Sequence, residues 1–300
     1  MLQTSPLNWH TAYDELDFNI ERCDYLMWAN PVTGEWEDLP KRRAVLFNPT
    51  NGAIYSDNAS VNYVPAPYTQ LWNQLYQICH AAGLSNPEIK ITKAVNAFGT
   101  EGSSVRGDLI FYDERVKAQP EVDDYIALRL SFFASYDLSW SVQLHFAGHR
   151  LWCSNGCFHT EFAVRAVERH TKAIDLNKYK NIICNARERF SESGAMYQAM
   201  ARKQVPYQEA MDVLAKLAYV PNKPEKAHDR YDHHSKKQIE LLDQHLATYF
   251  KEVGPTKWAA YNAATHWSSH FNTKGQFVKQ QTSREQRVAR LFQTKEWAEL

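Results

Sequence analysis

Hydrophobic and polar positions follow two rhythms along this chain. Between about residues 42 and 157 apolar side chains largely alternate with polar ones, and beyond that they recur at helical spacing. The alternation is clearest in IALRLSFFASYDLSWSVQLHFAGHRLWCSNGC, residues 126–157. There Leu128, Leu130 and Phe132 share one face of a predicted strand, while Arg129, Ser131 and Phe133 share the other. After an SYD turn, Trp140, Val142, Leu144 and Phe146 alternate with Ser141, Gln143, His145 and Ala147. A third short strand over 149–153 is expected to run into the breaker pair Asn155-Gly156, with a helix starting near His159.

The same rules place the other elements. RRAVLFNPTNGAIYSDNASVNYVPAP reads as a hairpin around an Asn-Gly turn, closed by Pro65 and Pro67. Leu71, Leu75, Ile78 and Cys79 mark one face of a helix that stops at Gly83. EIKITKAVNAFG and SSVRGDLIFYD form two strands around Gly-Thr-Glu-Gly. Helices are expected over 177–203, 206–220, 234–253, 255–271 and 283–298. The predicted class is α+β: residues 1–172 hold an antiparallel sheet with flanking helices, and 173–300 are all helical.

Several stretches resemble the domain of unknown function 932 family of phage and plasmid proteins. SYDLSWSVQLHFAGHRLWCSNG is similar to its turn, strand and Cys-x-Asn-Gly pattern, with SYD in place of the more usual His-Asp-Gly. SVNYVPAPYTQLWNQLYQICHAAGL resembles its Tyr-x-Pro segment and following helix, and TKWAAYNAATHWSSHF its Trp-x-x-Tyr-Asn-Ala-x-Thr helix. The order helix, antiparallel sheet, helix is also similar to the kernel of single-strand annealing recombinases, a group that includes RecT and Red-beta. That resemblance implies rings or filaments holding a single strand in a positively lined groove.

Charge divides the chain. Through residue 156 there are 11 Lys and Arg against 18 Asp and Glu, a net of −7; the remainder carries +7. Such asymmetry suits head-to-tail self-association through the helical half. Five dispersed Cys suit a reducing compartment, and no apolar run approaches the roughly 18 residues of a membrane span, so a cytoplasmic location in the host cell is expected.

Covalent chemistry finds little footing. There is no Gly-x-Ser-x-Gly elbow, and no phosphate-binding Gly-rich loop ahead of a helix. His149, Cys153, Cys157 and His159 lack the close Cys pairing of a zinc site; His149 and Cys153, four apart on a strand, would stand roughly 13 Å from each other. The His-rich stretch 228–234 reads as a solvated loop, and His266 with His270 as a polar helix face without the Glu of a zinc hydrolase. No cofactor, no metal and no enzymatic role are expected.

Nucleic-acid binding is the leading expectation. Arg43, Lys93, Arg106, Arg129 and Arg150 are the candidate phosphate contacts, with Phe133 and Trp152 as stacking aromatics. Arg42, Lys90, Phe98 and Tyr136 are further candidates of the same two kinds. The expected function is a phage or plasmid single-stranded-DNA-binding, annealing-type recombination protein that forms homo-oligomers and meets phage or host replication and recombination proteins, with no membrane. Two other classes compete with it: a protein-binding phage accessory factor that inhibits or redirects a host or phage enzyme, and a metal-dependent nuclease. Arginines that pair with Asp108 or Asp137 and only stabilise the sheet are the alternative at the site itself.

Overall fold

The structure, a computed structural model, describes residues 8–24, 27–29, 33–38, 43–119, 124–150, 156–157, 165–218, 233–269 and 277–300. It is α+β, with a helical C-terminal region. Helix α1 (Trp9–Glu15) precedes β1 (Glu21–Cys23), a small hairpin of β2 (Met27–Ala29) and β3 (Trp36–Asp38), then β4 (Arg43–Phe47) and β5 (Ile54–Ser60). Helix α2 (Tyr68–Ala81) leads into β6 (Glu88–Val95), β7 (Glu101–Gln119), β8 (Asp124–Ser135) and β9 (Val142–Arg150), followed by β10 (Gly156–Cys157) and β11 (Arg165–Glu168). The remainder is α3 (Lys180–Arg202), α4 (Tyr207–Ala215), α5 (His233–Val253), α6 (Lys257–Ser269), α7 (Phe277–Leu291) and α8 (Lys295–Glu299).

Strands β1, β4 and β5 form one antiparallel sheet; β10, β9, β8, β7 and β6 form the larger one in that order, with β11 also on β9. Two compact units share the chain. The first takes Met1–Phe111, Arg129–Phe146 and Val164–Asn185; the second takes Tyr112–Leu128, Ala147–Ala163 and Ala186–Leu300.

In the first unit the apolar stripe of α2 does what its spacing requires: Leu71, Trp72, Leu75, Ile78 and Cys79 are all buried. Gly107 makes this fit possible, because a Cβ there would stand 3.1 Å from the Trp72 ring. Tyr68 stacks on Tyr136 at 3.8 Å and donates from its hydroxyl to the Gly102 carbonyl, while its backbone N–H donates to the Tyr136 hydroxyl. Two buried phenols are thus satisfied at the start of the helix.

In the second unit α6 is the central helix. It is buried on nearly every side, and Ala259, Ala260, Ala263 and Ala264 let α4, α5, α7 and β10 approach it closely. Among the described residues no helix is long and apolar enough to cross a membrane.

Three local expectations fail. Gly148 does not open a third strand: His149 and Arg150 complete β9, and Gly156 and Cys157 return antiparallel against His149 and Gly148. Ladder hydrogen bonds satisfy the backbone there, which outweighs the roughly 0.5–1 kcal/mol that a strand glycine costs. Residues 165–168 are a strand rather than helix, paired with His145 through Val142. From exposed Val167 through buried Glu168 and exposed Arg169 to buried His170 the pattern has period two. The last predicted helix is two helices: α7 ends at Leu291, and the Thr294 hydroxyl caps α8 by accepting from the Trp297 N–H at 3.3 Å.

Candidate nucleic-acid interface

The face expected to carry polar chemistry lies inside the first unit. Arg106, Arg129 and Phe133 are 2%, 5% and 2% exposed. Arg106 donates through Nε and Nη2 to the Asp108 carboxylate at 2.8 and 3.1 Å, and the Ser131 hydroxyl donates to the same group. The Arg129 Nε lies 3.9 Å from that carboxylate. Burial pushes the Asp108 carboxyl up, but the charges of Arg106 and Arg129, with the bonds from Arg106 and Ser131, outweigh it and hold it at about 2. The Arg106 guanidinium lies over the Phe133 ring at 5.3 Å, and that ring also meets Trp140 and His145. The strand parity therefore does gather these residues, as a paired interior network.

Arg150 belongs to the second unit and is 1% exposed. Its Nε and Nη2 each donate to Asp124 at 2.7 Å, and its Nη1 donates to the Asn262 side-chain oxygen at 3.0 Å. The Trp258 indole N–H donates at 3.0 Å to Asp124 Oδ2, the oxygen that also accepts from Arg150 Nη2. Tyr249 and Trp258 present their rings to the guanidinium at 5.7 and 5.4 Å. Carboxylate pairing is thus the arrangement at both arginines, through Asp108 for Arg129 and through Asp124 for Arg150. The Trp-x-x-Tyr-Asn motif of α6 finds a physical reason here, since Trp258 and Asn262 complete the ring of bonds around a buried ion pair.

Among the other candidates, Arg43 is exposed at the start of β4. Lys93 sits between Glu15 at 2.6 Å and Glu101 at 3.7 Å, with its ammonium over the Phe18 ring. Lys90 pairs with Glu88, Phe98 is 52% exposed, and Tyr136 is buried. His266 shares a hydrogen bond with the Tyr249 hydroxyl at 2.9 Å. Trp152, Arg42, Cys153, His159, His270 and residues 228–232 lie outside the described residues.

A different constellation meets the description of a phosphate and base contact. It lies in the second unit on β7 and its neighbour β8. On one face of β7, Glu114 pairs with Arg187 of α3 and Val116 packs against Gly194, whose added Cβ would stand 3.3 Å away. By parity the other face carries Asp113, Arg115 and Lys117. The Arg115 guanidinium lies 4.8 Å and the Lys117 ammonium 5.2 Å from the Tyr125 ring centre on β8. Arg115 is exposed, and Lys117 and Tyr125 are half-buried. Cations two positions apart on a strand stand about 6.6 Å from one another, which suits successive phosphates of an extended strand. The sequence signal was the alternation Asp113, Arg115, Lys117 against Glu114, Val116, Ala118. The sequence reading ends this strand at Asp113, and the structure extends it to Gln119.

Nothing among curated proteins and nothing among solved structures matches the chain. The family described as Domain of unknown function (DUF932) matches residues 62–293, a span that takes in α2, strands β6 to β9 and the Asp124, Arg150 and Asn262 cluster, and the chain belongs to that family.

Proposed function

We propose that the chain binds single-stranded DNA without covalent chemistry, as an annealing-type recombination protein of phage or plasmid origin acting in the host cytoplasm. One observation carries this reading: two cations and an aromatic come together at Arg115, Lys117 and Tyr125, with Arg115 exposed and the other two half-buried. Arg115 and Lys117 take phosphates, and Tyr125 offers a ring on which a base stacks. The run from α2 into four successive antiparallel strands supports it, because that order is similar to the annealing kernel. Binding of this kind needs neither ATP nor a metal ion. The buried arginines Arg106, Arg129 and Arg150 pair with Asp108 and Asp124 in the interior and play no part in this contact.

Arg115→Ala and Lys117→Ala test the reading. Each should flatten the salt dependence of single-strand binding by about 0.7 in log–log slope, alike for all sequences. Tyr125→Ala should cost roughly 1–3 kcal/mol of affinity. Folded variants with unchanged affinity and slope would remove the site. A second reading, the protein-binding accessory factor, draws on the net charge of −7 over the first 156 residues and the aromatic content of the chain; binding to protein but to no oligonucleotide at low salt would favour it.

A further inference from the structure

The first unit holds an open cleft of about 680 Å³ between the β4–β5 and β6–β7 turns. Its lining has two chemistries. The β6–β7 turn and the start of β5 bring apolar surface, with Phe98 52% exposed and Ile54 37%. The β4–β5 turn brings the amides of Asn48 and Asn51. The apolar part is fixed before any ligand arrives. The Asn96 amide donates to the Ile54 and Tyr55 carbonyls, and its oxygen accepts from the Phe98 and Thr100 N–H groups, all at 2.9 Å. The Thr100 hydroxyl donates to the Ile54 carbonyl at 2.7 Å. A built turn thus holds Phe98 in water, where the hydrophobic effect alone would favour covering it.

The amides are oriented as well. The Asn48 oxygen accepts from the Thr50 N–H at 2.9 Å, and the Asn51 oxygen accepts from the Ala53 N–H at 3.0 Å. With that oxygen engaged in its own turn, Asn51 offers a ligand its amide N–H donors. Charge is scarce. Glu101 is the one charged residue of the lining among the described residues, and Lys93, bonded to Glu15 at 2.6 Å, lies 3.7 Å from it. Among the described residues no cation lines the cleft, and Asp14, Glu15 and Asp17 are exposed just before its Phe18. Such a lining disfavours a phosphate, and a wholly apolar ligand would leave the amides unmet. It suits a small neutral molecule with a flat apolar face and hydrogen-bond acceptors along one edge.

We propose that this cleft binds a nucleobase, with the face of the base on Phe98 and Ile54, its acceptor edge on the Asn51 amide, and no contact to phosphate. Bases are flat heterocycles that aromatic side chains stack on and side-chain amides read along an edge. The volume agrees, since small-molecule sites run to roughly 300–1,000 Å³. The site is distinct from Arg115, Lys117 and Tyr125, which belong to the second unit, and the inference goes beyond the single-strand reading without resting on it. The base can come from a free nucleoside or from a strand, and competition separates the two sources.

Calorimetric titration of the full chain with adenosine, cytidine and thymidine reads the site. At least one should bind with a dissociation constant of about 0.1–1 mM, and its 5′-monophosphate should bind more weakly. Phe98→Ala removes the stacking ring at an exposed position. Asn51→Asp keeps an oxygen for the Ala53 N–H and removes the donor. Each should weaken nucleoside binding about tenfold with unchanged thermal unfolding. Arg115→Ala should leave it unaltered. A single-stranded oligonucleotide that displaces the nucleoside, where an abasic one does not, assigns the base to a strand; no displacement by either assigns it to the free nucleoside. No heat with any nucleoside up to its solubility overturns the inference. So does binding that both cleft variants leave unaltered, or a methyl glucoside that binds more tightly than every nucleoside. A chain that binds nucleoside but no oligonucleotide would keep this inference and sink the single-strand reading.

Discussion

Replacing Arg150 with Ala separates a structural arginine from a phosphate-binding one. Arg150 and Asp124 are 1% and 0% exposed, and two bonds of 2.7 Å join them. The substitution leaves the Asp124 carboxylate in the interior with the Trp258 indole N–H still donating to it, and it strips Asn262 of the Arg150 donor to its side-chain oxygen. Removing one partner of a buried pair costs about 3–5 kcal/mol, because the remaining charge has lost its compensation. For a unit of this size that is roughly 6–20 °C in unfolding midpoint. Replacing both members by apolar groups, as in Asp124→Leu with Arg150→Met, removes the orphaned charge, so the double variant should be more stable than Arg150→Ala alone. Thermal and urea unfolding followed by circular dichroism measure both. An Arg150→Ala protein that unfolds within about 1 kcal/mol of the wild type, yet loses oligonucleotide binding, would refute the structural assignment.

Other perturbations have definite directions. The Asp108 carboxyl is held at about 2, below the unfolded value of about 3.9, so its contribution to stability is full above about pH 5 and fades as pH falls through 4 towards 2. Asp108→Asn should lower stability at pH 7 and flatten that acid-side loss; an unchanged acid profile in urea titrations would contradict it. Gly102 has φ +74°, and an added Cβ would stand 2.4 Å from the Phe18 ring. Gly102→Ala should therefore cost more than about 1 kcal/mol and displace the Phe18 ring, seen as a lower unfolding midpoint and altered near-ultraviolet dichroism.

The helices and strands were legible wherever one period ran uninterrupted. The α2 stripe and the alternating faces of β8 and β9 follow directly from their apolar spacing. Three of the failures share a cause. At Gly148, at 165–168 and beyond Asp113, a partner strand or helix decides the conformation, and no local pattern reports that partner. Parity correctly put Arg129, Ser131 and Phe133 on one face, but it could not tell which face is covered. Asp108 and Asp124, which neutralise the arginines, lie more than twenty residues away along the chain from Arg129 and Arg150. Burial of a charge becomes visible only when its distant partner is in place.

Fluorescence-anisotropy titration of the full chain with single- and double-stranded oligonucleotides of one sequence, at several salt concentrations, tests single-strand binding most directly. The expected result is tighter binding to the single strand, with log affinity falling linearly against log salt and a slope of about −0.7 for each phosphate engaged. No binding to either oligonucleotide at low salt would contradict it.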